Sequence, residues 1–399
     1  MNEHAPVTTG MEGKSDLIVT YDPSVTTLDI QIESSIKKLF GKIIRECVEK
    51  TLTEFGVAHG RLTVKDDGAL DLVIAARIES ALRHAGVAKT PKLVPPHRTA
   101  ATKDRPRRTR LYIPGNTPDL QTNAGLFGAD SCILDLEDSV APAQKPEARV
   151  LVRRMLEEGA KFFKTGEIIV RINPLSGPFG RDDLAEIVPA LPHVILIPKC
   201  ETAADVLETE KAVSEIEKQY KLEGRILFMP LIESGRGVVN APAIAAASSR
   251  NVALCFGAED FTRDLGIARS REGRETFLAR QQIVLAAKAA DIQAIDTVFS
   301  DVADEEGLFN SAVEAKNLGF VGKGVIHPRQ IPIVHRAFAP TEAELDEAKK
   351  IVTALREAEK SGSGVVSLGS KMIDAPVAAR AMKLIELARS FGMKGLEEL

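Results

Sequence analysis

The stretch ILFMPLIE, residues 226–233, is an apolar run that ends in an acidic residue and precedes a helical pattern. A short apolar run of this kind is typical of a strand buried on both faces of a parallel sheet. The surrounding sequence repeats the arrangement at intervals typical of βα units. The other runs are 111–113, 132–136, 168–172, 194–197, 252–256, 292–298 and 321–326.

Two architectures use this alternation of strands and helices. A doubly wound open sheet is one, but no Gly-x-Gly-x-x-Gly follows the first run. The sequence has about eight such runs, and eight parallel strands are the number that closes a barrel. The sequence therefore predicts an α/β fold, a (β/α)8 TIM barrel preceded by a small α+β domain.

The ends of the predicted strands are unusually polar. In such barrels the chemistry lies at the carboxyl ends of the strands, and polar side chains are costly there unless they bind something. The residues at or just after these ends are Asp135, Glu137, Asp138, Arg171, Asn173, Lys199, Glu233, Glu259, Asp260, Asp296 and His327.

Glu233 and Asp260 follow strands on consecutive βα units, so their carboxylates can converge on one cation. Hard oxygen ligands without a cysteine or a second nearby histidine favour Mg²⁺ over Zn²⁺. The alternative is that both residues cap the helices that follow.

The acidic segment LDLEDSV has several candidate roles. Asp135, Glu137 and Asp138 could ligate the metal, hold its water ligands or cap the next helix. Arg171 suits bidentate capture of a substrate carboxylate, and it could equally form a salt bridge to this segment.

Two further strand ends leave alternatives open. Lys199 stands where a Schiff-base aldolase keeps its nucleophile, although a metal pair without other support for an imine favours metal chemistry. His327, in GVIHP, could contact substrate or simply orient its loop.

A segment rich in proline and basic residues divides the chain. We place a linker at 87–106, between an N-terminal domain at 1–86 and the barrel at 107–399 with its helical extension. Its basic residues could form a solvated strap or a docking patch for phosphates, and the lack of interleaved aromatic residues favours the strap. Before the linker, strands near 17–19, 28–32 and 61–64 and helices near 36–55 and 70–82 are predicted.

Composition narrows the class of protein. Charged residues make up 27% of the chain and the formal net charge is −4, which indicates neither nucleic-acid nor membrane binding. The four scattered cysteines are expected to be free thiols. Without a secretory signal or an apolar stretch long enough to span a membrane, the protein is expected to be cytoplasmic.

The barrel segment contains, in this order, the motifs RRTRLYIPGN, LDLEDSVAP, VRIN, IPKCE, LIES, FGAEDF and GVIHP. On these motifs it resembles the citrate lyase β-subunit family, which includes citryl-carrier, malyl-CoA and citramalyl-CoA lyases. This resemblance implies Mg²⁺ ligands at Glu233 and Asp260 and catalytic arginines at Arg108 and Arg171. Substrate contacts are implied for Arg108, Arg171, Glu137, Asp138, Lys145 and His327.

The same resemblance singles out Asp374, in KMIDAPV, as an acid/base that reaches into a neighbouring subunit's site. It therefore implies a homotrimer. From the sequence alone, Asp374 would be a turn residue before Pro376.

The N-terminal segment contains Gly10, Asp16 and the stretches IESSIKKLFG and KDDGALDLVIAARIE. On these features residues 5–86 resemble the citrate lyase γ-subunit, an acyl carrier protein modified on a serine by a phosphoribosyl-dephospho-CoA group. Aligning Gly10 and Asp16 without a gap places Lys14 at the position of that serine. The neighbouring Ser15 is therefore the expected attachment point. Ser34 and Ser35 are less suitable, because they begin a predicted helix and are expected to cap it.

Together these resemblances imply a Mg²⁺-dependent lyase that cleaves a carrier-bound citryl thioester to oxaloacetate and an acetyl thioester. A transferase like the citrate lyase α-subunit is the implied partner. The alternatives are a malyl-CoA or citramalyl-CoA lyase acting on free CoA esters, and a non-catalytic subunit that binds acyl-CoA.

Overall fold

A computed structural model describes residues 5–89, 91, 93, 95–96, 98–157, 162–163, 166–222, 224–360, 366–368 and 371–393. Part of the predicted linker, at 90, 92, 94 and 97, lies outside these residues. Among the described residues, no helix has the length and apolar character needed to cross a membrane. The four cysteines are free, as predicted.

The N-terminal domain is a four-stranded sheet with two helices. Its elements are β1 (Val7–Thr9), β2 (Leu17–Asp22), β3 (Leu28–Ser34), α1 (Lys37–Glu54), β4 (Gly60–Asp66) and α2 (Asp71–His84). The strand order is β1-β2-β4-β3, with β3 and β4 parallel and the other pairs antiparallel.

Alternating burial explains why these strands were predictable. In β4 the buried and less buried residues alternate strictly along the strand, so one face packs on the helices. The three predicted strands and two helices are present with small shifts at their ends. The short strand β1 was missed, because three residues are too few for a periodic signal.

The second domain is the predicted barrel. Its strands are β5 (Thr109–Pro114), β6 (Ser131–Asp135), β7 (Glu167–Arg171), β8 (Val194–Ile197), β9 (Leu227–Ile232), β10 (Ala253–Phe256), β11 (Gln293–Asp296) and β12 (Gly322–Val325). The outer helices are α3 (Pro118–Asn123), α4 (Lys145–Glu157), α5 (Gly180–Ile187), α6 (Ala203–Tyr220), α7 (Gly235–Ala246), α8 (Ala258–Asp264), α9 (Phe277–Ala289), α10 (Glu305–Leu318) and α11 (Gln330–Phe338).

These strands pair in parallel and close in the order β10-β11-β12-β5-β6-β7-β8-β9. The prediction of a (β/α)8 barrel behind a small α+β domain is confirmed. Several predicted runs were longer than the strands, because apolar residues continue into the buried loops. After the barrel, α12 (Glu342–Lys360), β13 (Val366–Leu368), β14 (Lys371–Ile373) and α13 (Ala375–Ser390) form the C-terminal extension, in which α12 packs on α13.

The described part of the linker is bound to the amino-terminal end of the barrel. Lys103 Nζ donates to the Ser249 carbonyl at 2.6 Å, and Arg105 Nη2 donates to the Asp130 carbonyl at 3.2 Å. Arg107, just after the linker, pairs with Glu167 through two bonds of 2.8 Å inside the barrel. The basic residues therefore strap the linker to backbone carbonyls.

The N-terminal domain is docked on the barrel through α2, which lies along α4. Glu79 of α2 is fully buried and accepts hydrogen bonds from Arg153 at 2.5 Å and Arg154 at 2.8 Å. Glu186 of α5 joins Arg153 and Arg83, at 2.6 and 2.9 Å. We call Glu79, Arg83, Arg153, Arg154 and Glu186 the interface cluster. It fixes the two domains in one arrangement.

Candidate active site

The carboxyl ends of the barrel strands form a mouth lined by charged residues. A cavity of about 380 Å³ opens there, and Arg171, Glu233 and Asp260 lie in its wall. Polar residues from separate βα units thus meet at one place, as the positions of the strand ends predicted.

Glu233 follows β9 and is 4% exposed. Its Oε1 accepts a hydrogen bond from the Lys199 backbone N–H at 2.7 Å, which fixes the side chain toward the mouth. A Cβ on Gly257 would come within 2.8 Å of Glu233 Oε2, so this carboxylate oxygen is cradled against the loop after β10. Burial, followed by the charges of Glu137 and Asp260, raises the pKa of Glu233 to about 8.

Asp260 lies in the first turn of α8, and its Oδ1 pairs with Arg263 at 2.5 Å. Among the described residues, no three His, Cys, Asp or Glu side chains are grouped closely enough to hold a metal by themselves. A cation at Glu233 and Asp260 would take its other ligands from water or substrate, as Mg²⁺ commonly does. The raised pKa of Glu233 fits this donor set, because burial and then the neighbouring carboxylates disfavour its charged form, and a bound cation would offset both effects.

Arg171, at the end of β7, is held in place by the acidic segment after β6. Its Nε and Nη2 donate to the two oxygens of Asp135, each at 2.7 Å, and Nη1 lies 3.0 Å from Glu137 Oε2. Although burial raises the pKa of Asp135, Arg171 holds it below its ordinary value. The salt bridge considered for Arg171 is therefore present, and Arg171 also lies in the wall of the mouth cavity. Asp138, which is exposed, lies 3.5 Å away.

Lys199 pairs with the carboxylates of Glu137 and, at 3.3 Å, Asp138. Burial lowers the pKa of Lys199, but the hydrogen bond and charge of Glu137 outweigh that effect and leave it raised. An imine-forming lysine needs a lowered pKa. The structure therefore disfavours the Schiff-base alternative.

The side chains of Lys145 and His327 hold nearby backbone groups in place. Lys145 Nζ is buried and donates to the carbonyls of Leu136 and Glu137, at 2.8 and 2.6 Å, which orders the acidic segment. His327 Nδ1 accepts from the Arg329 N–H at 3.1 Å, so it orients its own loop. Neither contact places the side chain against a substrate.

Arg108 lies away from the mouth. It precedes β5, at the amino-terminal end of the barrel, and pairs with Asp130 at 2.8 and 2.9 Å. Its guanidinium also stacks on Phe391, 4.1 Å from the ring centroid. A substrate role for Arg108 does not fit this position, because its side chain pairs with Asp130 at the amino-terminal end of the strands, whereas the mouth lies at their carboxyl ends. We therefore leave it out of the proposed site.

Asp374 is the N-cap of α13, where its Oδ1 accepts from the Val377 N–H at 3.1 Å. The side chain is exposed and does not line the mouth of its own chain. Any catalytic role would require a second copy of the chain.

The loop between β1 and β2, which contains Ser15, lies on the same side of the barrel as the mouth. Ser15 Oγ is 3.5 Å from Asp119 Oδ1, in the first turn of α3, and Gly10 N–H donates to Glu147 Oε2 at 2.9 Å, in the first turn of α4. Both helices begin at the carboxyl ends of strands. The fixed docking of the N-terminal domain therefore holds Ser15 at the rim.

A larger cavity of about 1060 Å³ lies beside the mouth, near α10 and the segment after α8. It contains no predicted metal ligand, but it shares Glu259, Asp296 and Thr297 with the mouth cavity. The adjoining cavities leave room for a substrate much longer than its reacting part.

Arg110 and Tyr112 of β5 line the mouth cavity and were missed in the sequence. They lie within a strand, whereas the predicted residues follow strand ends. One signal was available, since Arg110 is a charged residue beside an apolar run and the strand alternation points it inward with Tyr112.

Comparisons with known proteins agree with this architecture. Residues 108–328 match the family model described as HpcH/HpaI aldolase/citrate lyase. The chain belongs to this family. Residues 4–85 match a carrier-protein model described as malonate decarboxylase delta subunit. A carrier-like domain is therefore fused to a barrel of the citrate lyase family, as the motifs indicated.

Similar proteins include the citrate lyase β-subunit of Leuconostoc mesenteroides, 43% identical over 72% of this chain and 95% of its own length. Human mitochondrial citramalyl-CoA lyase is 33% identical over 72% of this chain and 87% of its own. The CitE protein of Mycobacterium tuberculosis, solved with magnesium, acetoacetate and coenzyme A, has a TM-score of 0.59 and 32% identity, covering 71% of this chain and 98% of its own. The chain is an oxo-acid lyase.

Proposed function

We propose that this chain is a Mg²⁺-dependent lyase that cleaves a citryl thioester, carried on its own N-terminal domain, to oxaloacetate and an acetyl thioester. The observation that carries the proposal is the buried Glu233 carboxylate, whose pKa is raised to about 8 beside a second carboxylate, Asp260. The magnesium complex of the M. tuberculosis relative supports the same metal here.

Glu233 and Asp260 hold the metal in this scheme. Bound Mg²⁺ is a Lewis acid that makes the substrate hydroxyl easier to deprotonate. Glu233 is already aimed by the Lys199 N–H, so little reorganisation is needed when the cation binds.

Cleavage breaks the bond between the hydroxyl-bearing carbon and the α-carbon of the thioester. The hydroxyl loses its proton, the electron pair of the broken bond passes into the thioester enolate, and a proton returns to the α-carbon. Arg171, which lies in the wall of the mouth cavity, binds the carboxylate next to the hydroxyl, while Asp135 keeps the guanidinium oriented. Asp138 lies in the same cavity wall, and Glu137 pairs with Arg171 and Lys199 behind it.

Asp374 of a second copy, within a homotrimer, accepts the hydroxyl proton as a base and then returns it to the α-carbon as an acid. A mixture of an inactive Glu233→Gln chain and an inactive Asp374→Asn chain should then regain activity, because some sites combine an intact Glu233 with an intact Asp374. An Asp374→Asn chain that stays active would place Asp374 outside the reaction, and no recovery after mixing and subunit exchange would exclude its action on the site of a second copy.

Ser15 carries the phosphoribosyl-dephospho-CoA arm in this proposal, and a citrate lyase α-subunit-like transferase loads it. The docked domain holds Ser15 beside Asp119 at the rim, so the arm starts next to the mouth. A substrate tethered this close is present at high effective concentration.

Free malyl-CoA or citramalyl-CoA is the second candidate substrate. Lys14 stands where the carrier serine is expected, and a citramalyl-CoA lyase is among the relatives. A chain without an arm on Ser15 would act on these esters. The third alternative, a non-catalytic subunit, does not agree with the similarity of this chain to oxo-acid lyases.

The deciding experiment is the intact mass of the chain after expression with the prosthetic-group transferase. We expect an added arm that Ser15→Ala abolishes and Ser35→Ala, the matched control in the same domain, retains. The purified protein is then assayed with citryl, malyl and citramalyl thioesters across a Mg²⁺ titration. An unmodified chain that cleaves the free CoA esters would replace the first proposal with the second.

A further inference from the structure

Arg110 is a buried arginine at the floor of the mouth cavity. It is the second residue of β5, its side chain is 1% exposed, and it lines the cavity together with Tyr112. The side chain therefore sits inside the barrel, below the rim that carries Glu233 and Asp260.

The contacts of Arg110 leave its charge without a counterion. Nη1 donates to Cys255 Sγ at 2.8 Å and lies 3.9 Å from Met229 Sδ. Nε is buried without a hydrogen-bond partner, and no carboxylate among the described residues lies within ion-pair distance. Burial raises the pKa of Cys255 more than Arg110 lowers it, so the thiol stays neutral.

Other buried cations of the barrel are paired with carboxylates. Arg107 has both oxygens of Glu167 at 2.8 Å. Lys323 and Arg280 share Asp296, at 2.7 and 3.1 Å. These three cations thus have carboxylate partners, whereas Arg110 has none among the described residues. An unpaired buried charge is costly, so it calls for an anion that arrives with a ligand.

The unbalanced charges at the rim and at the floor of the mouth cavity therefore have opposite signs. At the rim, the buried carboxylate of Glu233 and the carboxylate of Asp260 lie in the wall of one cavity, where a cation would balance their charges. At the floor, Arg110 needs an anion and lies within the same cavity. A ligand that brings a metal ion to the rim and a carboxylate to the floor would satisfy both.

We propose that Arg110 binds the distal carboxylate of the substrate's acyl group, the one on the carbon that takes no part in bond cleavage. A citryl group has this carboxylate, whereas a citramalyl group has a hydrogen in its place and a malyl group lacks the carbon as well. Arg110 is thus a specificity-determining residue that selects dicarboxylate keto-acid products. This inference rests on the proposed function and chooses among its candidate substrates.

The test compares oxaloacetate with pyruvate, because the two keto acids differ by this one carboxylate. Each is titrated calorimetrically into the full-length protein with Mg²⁺. We expect the wild-type chain to bind oxaloacetate roughly 10- to 100-fold more tightly, as a charge-assisted hydrogen-bonded pair provides. Arg110→Met should remove that difference and leave pyruvate affinity within about twofold. Arg110→Lys, which keeps the charge but not the fork, should restore part of it.

The melting temperature of the variants shows whether Arg110 recognises a ligand or stabilises the fold. Methionine is apolar and close in shape, so Arg110→Met should leave the melting temperature unchanged or raise it. Arg61→Met, on the exposed sheet of the N-terminal domain, is the matched control for losing an arginine. A melting temperature that falls, with equal losses of oxaloacetate and pyruvate binding, would make Arg110 structural and overturn the proposal.

Kinetics distinguish the failure of this inference from the failure of the proposed function. If the wild-type chain cleaves citryl-CoA added in solution and Arg110→Met raises the KM for this ester at least about tenfold with a smaller change in kcat, the inference stands. Equal citryl cleavage by both chains overturns it. If Arg110 governs oxaloacetate affinity but no citryl thioester is cleaved, the inference stands and the proposed function fails.

Discussion

The interface cluster and the barrel mouth are both buried groups of charged residues, but their charges are balanced differently. At the interface, Glu186 is buried, yet Arg83 and Arg153 hold its pKa below its ordinary value. At the mouth, Glu233 has a pKa raised to about 8. The two carboxylates are similarly buried, so the direction of each pKa shift shows whether the carboxylate has cationic partners within the chain. The interface cluster is complete within the chain, and the mouth is complete only with a ligand.

The largest effect is expected for Glu233→Gln. Losing one of two metal carboxylates should lower kcat/KM by about 10⁴-fold or more, because a bound cation supplies several kcal/mol of charge stabilisation. Stability should not fall, since a neutral amide replaces a carboxylate that burial disfavours. Steady-state kinetics and thermal melting check both.

Glu201→Gln is the control for this change, because Glu201 follows Lys199 but does not line the mouth cavity. Its activity should stay within about twofold of wild type. If Glu233→Gln retained metal-dependent cleavage, the mouth would not be a metal site.

Next in size is the destabilisation expected for Glu79→Ala at the interface cluster. Removing one partner from a buried ionic network typically costs about 3–5 kcal/mol, because Arg153 and Arg154 would be left without this carboxylate. Urea unfolding of the full chain measures it.

Asp29→Ala is the matched variant on the surface of the same domain, where Asp29 pairs with Arg61 at 2.8 Å. An exposed pair contributes about 1 kcal/mol or less. Equal losses for the two variants would show that the interface cluster does not hold the domain in place.

A smaller effect is expected from pH. The pKa of Glu233 is raised by folding, so the folded state binds the extra proton and stability falls as pH rises from about 4 to about 8. Mg²⁺ should oppose this loss and bind more tightly as pH rises, because it requires the deprotonated carboxylate. Melting temperatures across this range, with and without Mg²⁺, test the sign. A metal-free protein that gains stability over this range would contradict it.

The smallest effect is expected for Lys199→Met. In a metal-dependent site the loss should be about tenfold, since Lys199 only balances Glu137 and Asp138. An imine mechanism would instead lose all activity. Borohydride treatment with oxaloacetate should leave the wild-type mass unchanged, and a trapped adduct on Lys199 would contradict metal chemistry.

The sequence predicted the mouth better than the interface. Strand ends in a barrel share one face, so Glu233, Asp260 and Arg171 could be grouped from their positions alone. Glu79 and Arg153 lie on the faces of separate helices, and no local pattern shows which face another domain covers. Arg108 shows the limit of resemblance, because it belongs to a matching motif but precedes its strand and pairs with Asp130.

The sequence by itself determined the two domains, the barrel, the family and the carboxylates that follow the strands. These features are encoded locally, in apolar periodicity and in the residues that end each strand. Only the tertiary structure decided which charges have partners. It paired Arg107 with Glu167 and left Arg110 alone, and it raised the pKa of Glu233 beside Glu137. Such pairing depends on distances between residues far apart in the chain, which the order of the residues does not record.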